Sequence, residues 1–173
     1  MPVTFNLDHG ETLLIMHFTD VSNVAEVTEK LTEQSYPFNN CTCINSKLIL
    51  DSFQLAIAAN KAVVSHYSNN MITKSLPTEL LFNLSLSENI TGSLEKFGHG
   101  TRHGNDLLLA IFSHEEKQCN DIENVVKGTL QSNFVQDPSN INLINEAYDI
   151  TDEQLSSSSL LNLIVTKIAC KSV

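Results

Sequence analysis

The sequence predicts an α+β fold: one domain over residues 1–173, with a small mixed or antiparallel sheet, an N-terminal hairpin and several packed helices. Three observations predict it. Val3, Phe5 and Leu7 alternate and are followed, across "DHGE", by the apolar run "TLLIMHF", which is the pattern of a hairpin. The segment "NDLLLAIFS" at 105–113 is apolar on both faces, as in a central strand. Much of the remaining chain repeats apolar residues at helical spacing.

The elements follow in order. Val24, Val27 and Leu31 line one side of a helix over 23–34, with Glu26, Glu29, Lys30 and Glu33 outside. "KLILD" at 47–51 reads as a short strand. Helices are expected at 77–84 and 89–97, the second with Ile90, Leu94 and Phe97 on one face and Gly98 as its stop. Further helical signals fall near 120–130, 138–147 and 157–170, the last carrying Leu160, Leu161, Ile164 and Ile168 together. "SSSS" at 156–159 reads as a loop and helix start.

The most informative stretch is "DSFQLAIAANKAVVSHYSNN", residues 51–70. Asp51 caps a helix here, and Gln54 three residues later completes a capping box worth about 1 kcal/mol. Phe53, Ala56, Ile57, Val63, Val64 and Tyr67 share one broad face. Leu55, Ala58, Ala59, Ala62 and His66 form a second face of mostly small residues, against which another backbone can come close. Gln54, Lys61, Ser65 and Ser68 leave only a narrow polar strip. A helix this apolar is buried on two sides, or buried on one and covered by a partner on the other. Asn60 lies among the large residues and needs hydrogen-bond partners, because an unpaired buried amide costs about 1–3 kcal/mol. It is expected to bond a nearby loop. Lys61 is expected as a solvated charge or a binding residue.

Composition bounds the function. The chain is 42% hydrophobic and 17% charged, an ordinary globular balance. It carries 10 Lys and Arg against 20 Asp and Glu, a net charge of −10 that repels nucleic acid on average and favours a basic partner. No apolar run approaches a membrane span, and the opening "MPVTFNLDHGE" predicts no secretory signal. Cys41, Cys43, Cys119 and Cys170 have neither zinc nor redox spacing, so reduced thiols and unused sequons at Asn40, Asn83 and Asn89 are expected. No phosphate loop, nucleophile elbow or metalloprotease motif is present. The cluster "HGTRHG" at 99–104 is read as a loop, with an anion or RNA contact through Arg102 or a metal held by His99 and His103 as the lesser alternatives. His17, on an apolar strand, is read as a satisfied core histidine.

The succession "DSFQLAIAANKAVVSHY", "LPTELLFNLSLSENITGSLEKFG" and "DLLLAIF" resembles the kinase-binding TPRKB family, the small partner of the atypical kinase PRPK in the KEOPS (EKC) complex. The similar block runs from about residue 47 to 112, with weaker likeness on to "LLNLIVTKIAC"; the first forty residues match in pattern alone. The "HGTRHG" loop looks peculiar to this chain. The resemblance implies a non-catalytic subunit, without a cofactor, that binds and supports PRPK while the complex installs threonylcarbamoyladenosine in tRNA. It implies indirect association with the transferase and remaining subunits, a cytoplasmic and nuclear location, and no membrane. Ala59, Ala62, Leu80 and Phe82 are the expected partner-binding residues, near or beneath the docking surface. Archaeal relatives also hold tRNA, with a basic residue where Glu88 stands here. Lys61, Asn89 and Ile90 are therefore the expected residual contact, and tRNA binding by the chain alone is expected to be weak. The alternative is a small ligand-binding or enzymatic α+β domain with a site the motifs do not reveal.

Overall fold

A computed structural model describes residues 2–100 and 104–172. The strands are β1 (Val3–Asn6), β2 (Thr12–Thr19), β3 (Cys41–Ile44), β4 (Leu107–Phe112) and β5 (Thr129–Gln131). The sheet runs β1-β2-β4-β3, and every pairing is antiparallel. β5 pairs His17–Thr19 beyond the point where β1 stops at Ile15, so the two share one edge of β2. As expected, β4 is central, and all six of its residues are buried.

Side chains alternate across the sheet and divide the core in two. Leu13, Ile15, Leu108 and Ala110 face α2 (Ser52–Tyr67), α3 (Leu76–Leu84), α6 (Ile141–Ala147) and α8 (Leu160–Cys170). Leu14, Met16, Phe18, Leu109 and Ile111 face α1 (Val24–Glu33) and α5 (Glu116–Val125). The two helical layers sandwich the sheet, and α4 (Ile90–Phe97) and α7 (Asp152–Ser157) complete the eight described helices.

Several boundaries differ from expectation. The strand expected over 47–51 is a 3-10 turn at Ser46–Leu48, closed by the Asn45 carboxamide, which accepts from Lys47 N at 3.3 Å. The third strand is "CTCI" instead, where Cys and Thr mask the apolar alternation. The helix expected near 120–130 gives way to β5 after Val125. Gly128 permits this: a Cβ there would lie 2.7 Å from Val21 Cγ2 and 2.8 Å from Thr19 O. Helix 138–147 is a 3-10 turn at Pro138–Asn140 followed by α6, and 157–170 begins later, with Ser159 capping α8 through Asn162 N. Gly98 does end α4, though with φ −74° rather than left-handed backbone. Its amide donates to Leu94 O at 2.9 Å, and a Cβ would sit 2.5 Å from that same oxygen.

Within α2 the capping box is half made. Asp51 accepts from Phe53 N at 2.8 Å, but Gln54 is fully buried rather than on a polar strip. Its carbonyl accepts from Leu50 N, and its amide donates to Leu48 O and to the Tyr148 hydroxyl, which in turn donates to Leu84 O at 2.7 Å. One glutamine thus ties the 46–50 turn, α2, α3 and the end of α6 together. The small face of α2 points inward, with Ala58, Ala59 and Ala62 fully buried. α3 comes close enough for Asn83 to donate from Nδ2 to the backbone carbonyl of Ala58 at 3.2 Å.

Ala62→Leu therefore overpacks a closed contact and lowers stability by about 1–3 kcal/mol. Urea denaturation measures this; a midpoint equal to that of the parent chain would mean the helices are not closely packed there.

Candidate functional site

With the alanines, Leu55 and Val63 turned inward, three large residues of α2 face outward. Phe53, Val64 and Tyr67 are 44%, 40% and 48% exposed, and Ile57 lies between them, partly buried against the core. Asn60 sits mid-stripe and bonds a loop, as expected for it. Its Oδ1 accepts from Asp8 N at 2.8 Å and its Nδ2 donates to Asp8 Oδ2 at 3.0 Å. Tyr67 donates to Glu11 Oε1 at 2.8 Å, and the His9 ring stacks on Tyr67 with centroids 4.2 Å apart. The hairpin connection is thereby fastened along one flank of the stripe. Large apolar residues held open on a rigid helix form a surface fit to receive another protein.

The residues expected near or beneath a partner surface are interior. Ala59, Ala62, Leu80 and Phe82 are all fully buried within the chain. They lie beneath the exposed stripe of α2 and are not part of it. Periodicity puts Phe53, Val64 and Tyr67 on one face with Ala56 and Val63, which are buried, and the helical wheel does not say which of two apolar faces turns inward. The deciding signal is side-chain size, since the face of alanines allows the closer approach.

Lys61 is not a solvated charge. Its Nζ donates to Ile168 O at 3.0 Å and to Lys171 O, capping the C-terminus of α8, where the helix dipole favours a cation. Lys171 in turn donates to Phe82 O at 2.7 Å and Ser87 O at 2.8 Å, with its ammonium 3.5 Å from the Phe82 ring centroid. Burial, then repulsion from Lys61, lowers the Lys171 ammonium to about 8. Burial also lowers Lys61. Asn89 caps α4 by accepting from Gly92 N at 2.9 Å, and Ile90 is exposed at that helix start. Lys171 thus links Lys61, through its own carbonyl, to Ser87, two residues before Asn89.

No group of three or more His, Cys, Asp or Glu able to hold a metal occurs among the described residues. Residues 101–103 of "HGTRHG", including Arg102 and His103, lie outside the described residues. Cys41, Cys43, Cys119 and Cys170 are free, and burial raises the thiols of the first three. His17 corrects an expectation: it is a core histidine at 9% exposure, but neither ring nitrogen has a hydrogen-bond partner. Its Nε2 lies 3.7 Å from Asp106 Oδ2, and Phe134 packs edge-on to the ring. Burial lowers its pKa, and Asp106 opposes that shift.

Comparison with known proteins adds to this geometry. A family model described as kinase binding protein CGI-121 matches residues 18–172. A zebrafish (Danio rerio) protein named EKC/KEOPS complex subunit TPRKB is 29% identical over 169 residues, 96% of this chain and 95% of that protein. The EKC/KEOPS complex subunit CGI121 of Debaryomyces hansenii is 33% identical over 113 residues, 64% of this chain and 56% of that protein. The protein of the same name from Candida glabrata is 24% identical over 149 residues, covering 84% and 82%.

His17 gives the chain a pH dependence of defined sign. Its folded-state pKa lies below the ordinary 6.5, so the folded chain binds fewer protons than the unfolded chain in that window. The stability contribution is complete above 6.5 and is lost as pH falls toward the depressed value. His17→Gln flattens the stability profile between about pH 7.5 and 5.5, and Asp106→Asn steepens it. Denaturant titrations across that range test both; three parallel profiles would remove His17 from the account.

Proposed function

The chain belongs to the CGI-121 family of kinase-binding proteins, and from that premise we propose that it is a non-catalytic subunit of an EKC/KEOPS complex that binds and supports a PRPK-type atypical kinase. The complex would act in threonylcarbamoyladenosine modification of tRNA, with the transferase and remaining subunits reached through the kinase. The observation that carries the proposal is the pairing of the family match with the outward face of α2, where Phe53, Val64 and Tyr67 stand open. A subunit that acts by docking needs a rigid exposed anchor set and no cofactor. The reading carries with it a cytoplasmic and nuclear location.

For tRNA, the net charge of −10 argues that the chain alone binds weakly and that basic surface comes from the other subunits. Of the three residues considered for a residual contact, Asn89 and Ile90 lie at an exposed helix start, while the ammonium of Lys61 is occupied by α8 carbonyls. A tRNA contact, if the complex uses this side, would therefore run through the start of α4 rather than through Lys61.

Co-expression with the kinase tests the reading. Phe53→Asp and Val64→Asp each weaken capture at least about 30-fold, as expected of central anchors, and change the stability of the free chain little. The isolated chain turns over no ATP. Kinase capture equal to that of the parent by both variants would remove α2 from the interface, and failure of the unaltered chain to bind any kinase-like protein would remove the function.

Lys61→Glu separates structural from RNA effects. A carboxylate facing the Ile168 and Lys171 carbonyls leaves them unpaired and lowers stability by about 1–3 kcal/mol. Urea denaturation in the absence of RNA measures it. Unchanged stability, together with lost tRNA modification by the assembled complex, would return Lys61 to the RNA contact.

A further inference from the structure

Phe53, Ile57, Asn60, Val64 and Tyr67 follow one another along α2 at steps of four, three, four and three. That alternation is the seam by which one helix lies along another at a shallow angle, each side chain entering a gap between four of its neighbours. α2 has 16 residues, enough for about four turns of such packing.

Two features of the seam specify the occupant further. Asn60 is the single polar member, and Asp8 holds it on both sides of its carboxamide. A carboxamide has two N–H donors and two lone pairs, so one of each remains after Asp8 is served. One polar residue in an apolar seam fixes the register of the helix that enters it. The charge beside the seam is negative. Asp8 contacts Asn60, Glu11 accepts from Tyr67, and Asp51 caps the start of α2. Lys61, the cation of the same helix, is turned to the α8 carbonyls.

We propose that the seam receives one amphipathic helix of the kinase, apolar along the side that meets Phe53 and Val64 and rich in Lys or Arg along the side that meets Asp8 and Glu11. The proposal rests on the reading of the chain as a kinase-docking subunit. It adds the kind of element that docks, its charge, and a polar register point at Asn60.

Photo-crosslinking in the intact complex tests it. The probe is p-benzoylphenylalanine, placed at Phe53 and, in a second variant, at Val64, with crosslinked peptides sequenced by mass spectrometry. The two positions are three turns apart, so the expected crosslinks fall on one helix of the kinase, about 11 residues from each other. Glu11→Lys is expected to slow association and to flatten its dependence on salt. Crosslinks to strands or loops of the kinase would overturn the helical occupant and leave kinase docking on α2 intact. Crosslinks to a second copy of this chain would overturn the proposal in favour of self-association. Failure of the unaltered chain to bind a kinase would overturn the functional reading itself, along with this one. Association rates equal to the parent's for Glu11→Lys at every salt concentration would overturn the basic flank.

Discussion

α3 approaches α2 at Ala58, with Ala59 and Ala62 fully buried on the same inward side, and that close approach governs the layer around it. Three alanines leave room for Asn83 to reach through to the Ala58 carbonyl. Larger side chains at the three alanine positions would strain such a contact, since a closed interior absorbs extra methylenes only with strain. Leu55 and Val63 fill the rest of the inward side, and the remaining large residues of α2 face out. Phe53, Val64 and Tyr67 point away from the core not because the fold failed to bury them but because the inward side is already filled. The exposed stripe is a consequence of the buried one.

The same helix organises its neighbours through polar groups placed where each meets a helix or turn end. Gln54 serves the 46–50 turn and the Tyr148 hydroxyl, and Tyr148 serves the last carbonyl of α3. Lys61 serves the end of α8, and Lys171 at that end serves Phe82 and Ser87. Carbonyls at helix ends have no partner within the helix. Here each is met by a side chain from an adjoining element, so α2, α3 and α8 are fixed in mutual register before any partner arrives. A docking surface held this way loses little freedom when it binds, which leaves more of the contact energy for affinity.

The sequence carried the outline of this architecture for reasons particular to each element. β1 and α2 have clear periodicities, β2 and β4 are continuous apolar runs bounded by turn residues, and all four were legible. β3 was not, because "CTCI" contains two cysteines and a threonine where a strand of valines would have announced itself, and the neighbouring "KLILD" looked more apolar. β5 has three residues and depends on Gly128 passing under Thr19 and Val21, a tertiary fact without a local signature. At the candidate site the face was legible and its direction was not. Asn60 was correctly assigned a loop partner because a mid-helix amide among apolar residues demands one. Lys61 and Gln54 fell on what the wheel showed as a solvated strip, and both are occupied by contacts from residues that lie close to or far from them in the chain. Only the path of α8 and of the 46–50 turn reveals that.

α2 turns its alanines inward, and in the proposed function its large exposed residues face the kinase. Hydroxyl-radical footprinting of the free chain and of the kinase complex measures both halves at once. In the free chain Phe53 and Tyr67 should oxidise readily while the fully buried Phe82 and Phe97 do not. On adding the kinase, Phe53 and Tyr67 should become protected, and Tyr36, exposed near α5 on the opposite layer, should remain as reactive as before. Protection of Tyr36 with Phe53 and Tyr67 unchanged would contradict the account.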